Sequence, residues 1–389
     1  MASTASGTVG SIVGGSADQQ ANRDLYPASR LAAVAAATGA AGLDALLLTP
    51  GPDLRYVTGY AAHQLERLTC LTVPAAGEPF LVVPALELPA AQASPAGGLG
   101  LEIIGWGETE DPYAIVAARL GSVRAVGLAD RMWAMMVLAL RAALPGARQE
   151  LASRALSGLR ARKSPAEVAA LLAAGEAIDR VHARVPGWLV PGRTELEVAA
   201  DISDAIIAEG HAQADFAIVA SGPNAASPHH SPAGRVLQRG DTVVVDIGGT
   251  MPSGYCSDCT RTYAIGSAPA EFTEYYAVLQ AAQQAACAAV RPGISAEAVD
   301  AAAREPITQA GWGAYFMHRT GHGIGLETHE DPYIVDGNTE PLVAGNAFSI
   351  EPGIYRGPDG ARIEDIVVCT ADGVQRLNTR STDLVVVPA

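Results

Sequence analysis

Apolar and polar positions in the first third of the chain alternate between helical and strand periods. They predict a helix over residues 29–41 and a short apolar strand over 43–50. Two further apolar runs, 68–75 and 79–85, are separated by a short polar turn, which is the pattern of a β-hairpin. Helical and strand segments continue to alternate up to about residue 144. Together they predict a small α/β domain, in which no cluster of chemically reactive residues stands out.

A long helical pattern follows, and it contains a new helix start. Ser164 suits the N-cap, Pro165 the first helical position, and Glu167 the third position of a capping box. We place the boundary between two domains in this stretch, which predicts one domain over 25–154 and a second over 155–389.

The second domain contains an internal repeat. Residues 191–210 (PGRTELEVAADISDAIIAEG) and 292–311 (PGISAEAVDAAAREPITQAG) are offset by 101 positions at both ends. Each Pro-Gly turn follows a helical stretch and precedes an amphipathic helix, so the repeat predicts a domain with pseudo-two-fold symmetry. Chance similarity in an alanine-rich chain is the alternative. A site in a duplicated domain would lie between its halves.

Composition supports this organisation and excludes some functions. The 389-residue chain is long enough for two domains, and its net charge of −15 argues against a nucleic-acid partner. No segment is apolar enough to predict a membrane span, and the polar residues 1–24 predict a disordered tail. Five irregularly spaced cysteines favour a reducing cytoplasm over a disulfide framework. The pair Cys256 and Cys259 lacks the second pair of ligands that a structural zinc site needs, which favours two small strand residues.

Two aspartates in the second domain need a buried partner. Asp246 ends the apolar run VVVD, and an unpaired buried carboxylate is costly, so it must be paired or bind a cation. Asp258 follows twelve residues later, after the turn MPSG. A hairpin of this length places the two carboxylates on neighbouring strands.

Two glutamates and a histidine extend the same pattern. Glu351 and Glu364 each interrupt an apolar run, which predicts a buried carboxylate in the middle of a strand. His322 lies between glycines, which allow close backbone approach. Five ligands with a single imidazole suit two hard or borderline cations, with Mn²⁺ or Co²⁺ favoured over Zn²⁺ or Fe²⁺. A pair of such ions points to hydrolysis of an amide or a related bond.

These motifs together resemble a known family. The order D-x-G, S-D-x-T-R-T, G-H-G-I-G, E-P-G-x-Y and R-I-E-D is similar to that of the pita-bread metallopeptidases (M24), closest to prolidase and Xaa-Pro aminopeptidase. Residues 165–389 carry the strong part of the resemblance. Residues 25–150 resemble the smaller N-terminal α/β domain of prolidase, aminopeptidase P and creatinase. The resemblance implies an α+β chain, with a creatinase-like N-terminal domain followed by a pita-bread catalytic domain.

The resemblance also implies a ligand set. Asp246 would bind one of two divalent metal ions, His322 and Glu351 the other, and Asp258 and Glu364 would bridge both. Mn²⁺ is the first choice, with Co²⁺, Zn²⁺ and Fe²⁺ as alternatives. The aspartates are one residue further apart than is common in the family. An extra turn residue costs little, so we expect the ligands to be retained.

Further residues match the family's catalytic positions. His229 would bind substrate, His329 would contact the scissile region, and His318 and Arg362 would be accessory residues. Glu351 would also carry a proton from the nucleophile to the leaving nitrogen.

The function implied is cleavage of the amide bond before proline by a hydroxide that bridges the metals. The enzyme would be an Xaa-Pro dipeptidase or an Xaa-Pro aminopeptidase, acting as a cytoplasmic homodimer on peptides with proline in the second position. Two alternatives stay open. One is a hydrolase of a small non-peptide amide, and the other is an inactive binding homologue, which the complete ligand set disfavours.

Overall fold

The computed structural model describes residues 24–389, so the predicted tail, 1–24, lies outside the described residues except for Asp24. The chain divides into two compact units, one ending at Ala152 and one spanning Ser153–Ala389. The predicted domain boundary at residues 154 and 155 stays a prediction. Among the described residues, no helix combines the length and apolar character needed to cross a bilayer.

The N-terminal unit is built on a six-stranded mixed sheet with the strand order β4-β3-β2-β1-β5-β6. Its strands are β1 (Ala45–Leu48), β2 (Cys70–Pro74), β3 (Phe80–Pro84), β4 (Glu102–Trp106), β5 (Ala125–Leu128) and β6 (Arg148–Leu151). Its helices are α1 (Ser29–Ala40), α2 (Pro52–Thr58), α3 (Leu88–Ala93), α4 (Pro112–Leu120) and α5 (Ala134–Ala143). The predicted hairpin is confirmed, since β2 and β3 pair antiparallel with Leu71 opposite Leu81.

The C-terminal unit repeats one pair of helices. Its helices are α6 (Ser153–Ala161), α7 (Pro165–Arg184), α8 (Glu195–Ala208), α9 (Ala270–Ala289) and α10 (Ala296–Gln309). Both α7 and α9 have 20 residues, and both α8 and α10 have 14. The N-caps of the shorter helices, Thr194 and Ser295, keep the predicted offset of 101 residues. The capping box predicted at Ser164 and Glu167 is formed.

Each helix pair packs on its own group of strands. The first sheet has the order β17-β9-β8-β7, and the second has the order β11-β10-β12-β15-β16 beside the separate hairpin β13-β14. The strands of the first sheet are β7 (Gln213–Ser221), β8 (Thr242–Thr250), β9 (Cys256–Ile265) and β17 (Val385–Val387). The others are β10 (Gly321–Gly323), β11 (Glu330–Ile334), β12 (Ala347–Ile350), β13 (Gly353–Arg356), β14 (Asp359–Arg362), β15 (Asp365–Thr370) and β16 (Gly373–Arg376). Each half thus has its own buried apolar core.

The two glutamates do not lie in the middle of strands, so that expectation was wrong. Glu351 falls between β12 and β13, and Glu364 falls between β14 and β15. The register explains the break. Ile350 pairs with Asp365, and Gly353 pairs with Arg362, so the two glutamates face each other where the ladder is interrupted. Their backbone N–H groups leave the ladder and donate to the carbonyls of Thr320 and Thr260, respectively.

Candidate metal centre

The β8–β9 hairpin brings the two aspartates together. Asp246 is opposite Thr260, and Asp258 is opposite Gly248, so both carboxylates project from the same face of adjacent antiparallel strands. The prediction that they lie on neighbouring strands is confirmed. Gly248 is required by close packing, because a Cβ there would lie 2.4 Å from the Phe216 ring.

The interrupted ladder supplies the two glutamates. Glu364 is 1% exposed, and its Oε2 accepts a hydrogen bond from Thr260 Oγ1 at 2.7 Å. Glu351 Oε1 accepts from Ser349 Oγ at 3.2 Å. Each carboxylate therefore keeps oxygen lone pairs that this hydrogen bond does not use.

His322 completes the cluster from strand β10. Its Nδ1 lies 3.1 Å from the Gly323 carbonyl, which orients the ring as an Nδ1–H donor. The lone pair of Nε2 then faces Glu351 Oε1 at 3.2 Å and Asp258 Oδ2 at 3.7 Å. The flanking glycine is needed for this approach, since a Cβ at Gly321 would lie 1.8 Å from the Ser349 carbonyl oxygen.

The electrostatics of the cluster fit a site for cations. Burial, and then the charge of Glu364, raises the pKa of Asp258 well above its usual value, and burial and Glu351 do the same for Glu364. Burial raises the pKa of Glu351 to about 7 and lowers that of His322 to about 3. Burial and mutual repulsion of the carboxylates cause the upward shifts, and bound cations would reduce them.

The available ligand atoms also fit divalent metal ions. Asp258, His322 and Glu364 each offer one atom, and these atoms lie within 4.8 Å of one another. Asp246 Oδ1 is buried and has no hydrogen-bond partner among the described residues. A buried carboxylate oxygen without a hydrogen-bond partner is suited to bind a cation.

The buried guanidinium group of Arg362 is also part of the cluster. It donates to Asp246 Oδ2 at 2.5 Å, to Thr260 Oγ1 at 3.0 Å and to the hydroxyl of Tyr355 at 2.8 Å. The same hydroxyl lies 2.9 Å from Nε2 of His318. Arg362 and His318 are thus tied to one another through Tyr355.

All nine residues that the sequence singles out face one cavity of about 570 Å³. Its lining consists of Phe216, Ile218, Pro228, His229, Asp246, Asp258, His318, Arg319, His322, His329, Glu351, Arg362 and Glu364. The ring of His329 lies 4.0 Å from that of His322. His230 is not part of the lining, although its neighbour His229 is.

Sequence reasoning missed four of the lining residues: Phe216, Ile218, Pro228 and Arg319. Arg319 lies between His318 and the motif G-H-G-I-G, a position that could have drawn attention to it. It packs over the Tyr333 ring at 4.4 Å, and within the described part of the chain it forms no ion pair with a carboxylate. Phe216 and Ile218 are two residues apart on β7, so they lie on one face of the strand. The sequence alone does not show that this face lines the cavity.

Comparison with known proteins agrees with the geometry. The family model for metallopeptidase family M24 matches residues 169–371, and the model for the creatinase/prolidase N-terminal domain matches 30–162. The chain is 54% identical over 363 residues to the probable dipeptidase PepE of Mycobacterium tuberculosis, which covers 93% of this chain and 96% of the relative. It is 38% identical over 347 residues to the Xaa-Pro dipeptidase of Lactobacillus helveticus, covering 86% of this chain and 92% of the relative.

Solved structures give the same result. Dipeptidase PepE from Mycobacterium ulcerans superposes with a TM-score of 0.89 at 55% identity, covering 93% of this chain and 98% of that one. The prolidase from Thermococcus sibiricus superposes with a TM-score of 0.85 at 36% identity, covering 92% and 98%. With its pita-bread catalytic domain and its creatinase-like N-terminal domain, this chain belongs to metallopeptidase family M24, close to the prolidases.

Proposed function

We propose that this protein is a dipeptidase that uses two divalent cations to hydrolyse the amide bond before proline. The observation that carries the proposal is the convergence of four carboxylates and the His322 imidazole on a single cavity. The names of two relatives, an Xaa-Pro dipeptidase and a prolidase, support the choice of substrate.

The proposed ligands follow the order of the family motifs. Asp246 would hold one cation, His322 and Glu351 the other, and Asp258 and Glu364 would contribute carboxylate oxygens to the same centre. Oxygen donors with one imidazole favour Mn²⁺, with Co²⁺, Zn²⁺ and Fe²⁺ as alternatives. When bound, the cations would polarise the scissile carbonyl and lower the pKa of a water molecule.

The remaining residues of the cavity would act on the substrate. The bond before proline has no N–H group, so the enzyme must orient its substrate through the carbonyl and the chain ends. His229, which is exposed in the cavity, would donate a hydrogen bond to the scissile carbonyl oxygen as charge develops there. His329, beside His322, would contact the scissile region from the second half of the domain.

The proton transfer requires a group that reaches both the attacking water and the leaving nitrogen. Glu351 is suitable because its side chain is 16% exposed, whereas those of Asp246 and Asp258 are 11% and 5% exposed and Glu364 is buried. His318 and Arg362, joined through the Tyr355 hydroxyl, would hold another part of the cavity wall. A general acid placed in this way assists departure of the proline nitrogen.

The test measures the cleavage of three substrates by the full chain, which is first depleted of metal and then resupplied with Mn²⁺. We expect an Xaa-Pro dipeptide to be cleaved faster than an Xaa-Pro-Xaa tripeptide, and the matched Xaa-Ala dipeptide more slowly than either. Asp258→Asn should lose activity by roughly 10³-fold or more, as expected when a ligand of catalytic metals is removed. Glu305→Gln, which changes an exposed carboxylate of α10, serves as the matched control.

Each alternative has its own result. Preference for the tripeptide would make the protein an aminopeptidase. Cleavage of a small N-acyl metabolite but of no peptide would point to a non-peptide amide. Full activity after exhaustive chelation would overturn the proposal.

A further inference from the structure

The segment that carries His229 has no regular secondary structure of its own. Between Ala226 and Thr242 the chain forms neither a helix nor a multi-residue strand. Within the described part of the chain, the ring of His229 has no hydrogen-bond partner, although it lines the cavity. Its position is therefore set by the residues on either side of it.

Both neighbours of His229 are anchored. The Pro228 carbonyl accepts a hydrogen bond from Arg362 Nη1 at 3.1 Å. On the other side, Nε2 of His230 lies 2.8 Å from Oε2 of Glu195. Arg362 lines the cavity together with the proposed metal ligands, whereas Glu195 is not among the residues that line it.

The Glu195 carboxylate is fully buried and binds several parts of the segment at once. Its Oε1 accepts from the Ser221 N–H at 2.8 Å, from Ser221 Oγ at 2.6 Å and from Asn224 Nδ2 at 3.0 Å. Its Oε2 accepts from the Ala233 N–H at 3.2 Å as well as from His230. Burial alone would raise the pKa of Glu195, but the hydrogen bonds outweigh it and hold the pKa below the usual value.

Capping of the helix does not require this carboxylate. Glu195 is the first residue of α8, where Thr194 and Glu197 already form a complete capping box. The backbone N–H of Glu195 donates to the Arg235 carbonyl at 3.0 Å. The side chain and the backbone N–H of Glu195 thus both hold the segment that carries His229.

The second half of the domain shows a related contact, made from a later position of its helix. Asp300 of α10 is 1% exposed, and its Oδ1 accepts from the N–H of Thr320 at 3.0 Å and from its hydroxyl at 2.7 Å. Thr320 lies two residues before His322. In each repeat, a buried carboxylate of the short helix therefore anchors a segment that carries a histidine of the cavity.

From these contacts we infer that Glu195, acting through His230, is a positioning residue for His229. The inference rests on the proposed function, in which His229 contacts the substrate. A displacement of about 1 Å in such a contact is enough to lower the rate by roughly a hundredfold. Glu195→Gln replaces an acceptor oxygen by an amide that faces the N–H donors, so it should release the segment.

The experiment is a double-mutant cycle between Glu195→Gln and His229→Ala, with an Xaa-Pro dipeptide as substrate and Mn²⁺ supplied. Alone, Glu195→Gln should lower kcat by at least about tenfold, while metal content is unchanged and KM changes by less than about twofold. In the His229→Ala background, Glu195→Gln should change kcat by less than about twofold, because Glu195 acts through the His229 ring, which this background lacks. An equal loss of kcat in both backgrounds would overturn the inference.

Two variants separate positioning from general damage. Glu197→Gln, at the same helix start, removes a carboxylate whose hydrogen bonds within residues 24–389 all come from Thr194, and it should retain wild-type kcat. His230→Ala should lose as much as Glu195→Gln, and His230→Gln, whose amide can still donate to Glu195, should regain most of it. Loss of kcat in Glu197→Gln equal to that in Glu195→Gln would contradict the inference.

A second readout does not depend on turnover. If the wild-type protein cleaves no peptide, the proposed function fails, and the positioning role is then tested by the ring NMR signals of His229. We expect these signals to shift or broaden in Glu195→Gln but not in Glu197→Gln. Unchanged signals in Glu195→Gln would overturn the inference.

Discussion

Arg362 shows at the scale of one residue how the cluster tolerates so many buried carboxylates. Its side chain is 3% exposed and donates to Asp246, Thr260 and Tyr355 and to the Pro228 carbonyl. A planar guanidinium can serve all these acceptors at once, whereas an ammonium group cannot. Arg362 therefore fixes both a proposed metal ligand and the segment before His229.

We predict that Arg362→Lys lowers kcat/KM by roughly 10- to 100-fold, because the positive charge is kept but the simultaneous contacts are lost. Steady-state kinetics on an Xaa-Pro dipeptide would measure the loss. Arg376→Lys, which changes a half-buried arginine near Asp365, should stay within about threefold of wild type. Equal activity of Arg362→Lys and wild type would show that charge alone is needed.

Helix α7 and strand β9 are joined at the scale of elements by a buried histidine. His182 Nε2 lies 3.0 Å from the Cys259 carbonyl, and Nδ1 lies 3.0 Å from the Tyr263 hydroxyl. A neutral ring satisfies this pair, with Nε2–H as the donor and Nδ1 as the acceptor. Burial lowers the pKa of His182 to about 3, with Arg261 contributing in the same direction.

This shift has a defined sign. Since the folded pKa lies below the ordinary value of 6.5, the unfolded chain takes up the proton first as the pH falls. The free energy of unfolding should then decrease by up to about 1.4 kcal/mol per pH unit between about pH 6.5 and 3. His182→Gln should flatten the fall in thermal midpoint over this range in the metal-free protein.

The control for this prediction is His63→Gln, because His63 is exposed. Its thermal midpoint should fall with pH as steeply as that of the wild type. A wild-type slope in His182→Gln would mean that other groups, such as His322, whose pKa is also lowered by burial, account for the acid sensitivity.

At the scale of the whole molecule, binding of cations to the cluster of proposed ligands is coupled to the stability of the folded protein. A carboxyl whose pKa is raised on folding destabilises the folded protein at neutral pH, since ionisation is easier in the unfolded chain. Asp258 and Glu364 are both of this kind. Cations that neutralise them would bind the folded protein alone, and their binding energy would add to stability.

We therefore predict that Mn²⁺ at a hundredfold excess over its Kd raises the thermal midpoint of the wild-type protein by roughly 5–10 °C. Asp258→Asn should be at least as stable as wild type without metal, because one of several like charges is removed. It should lose most of the rise with Mn²⁺. A rise of wild-type size in Asp258→Asn, followed by calorimetry or circular dichroism, would contradict the proposed ligand set.

The chain carries much of the site in its local sequence. Asp246 could be recognised because a carboxylate at the end of an apolar run has to meet a counter-charge. The repeat could be recognised because it preserves helix starts at Thr194 and Ser295. Both signals depend on spacing and residue type along the chain, which a sequence states directly.

The interruption at Glu351 and Glu364 could not be predicted in this way. Two apolar runs containing a glutamate have the same pattern whether the strand continues or breaks. The break follows from pairing, since the two glutamates are in register and their N–H groups find other carbonyls. For Glu364 the new partner is Thr260, which lies about a hundred positions earlier in the chain.

The sequence by itself determined the duplicated fold, the family and the residues with ligand chemistry, because these are written in local periodicity and ordered motifs. Only the tertiary structure decided which neighbouring side chains share the cavity. His229 faces the cavity, whereas His230 contacts Glu195, and Arg319 lines the cavity although its sequence context did not predict this. Adjacent residues point in different directions according to the elements that pack against them, and no local pattern contains that information.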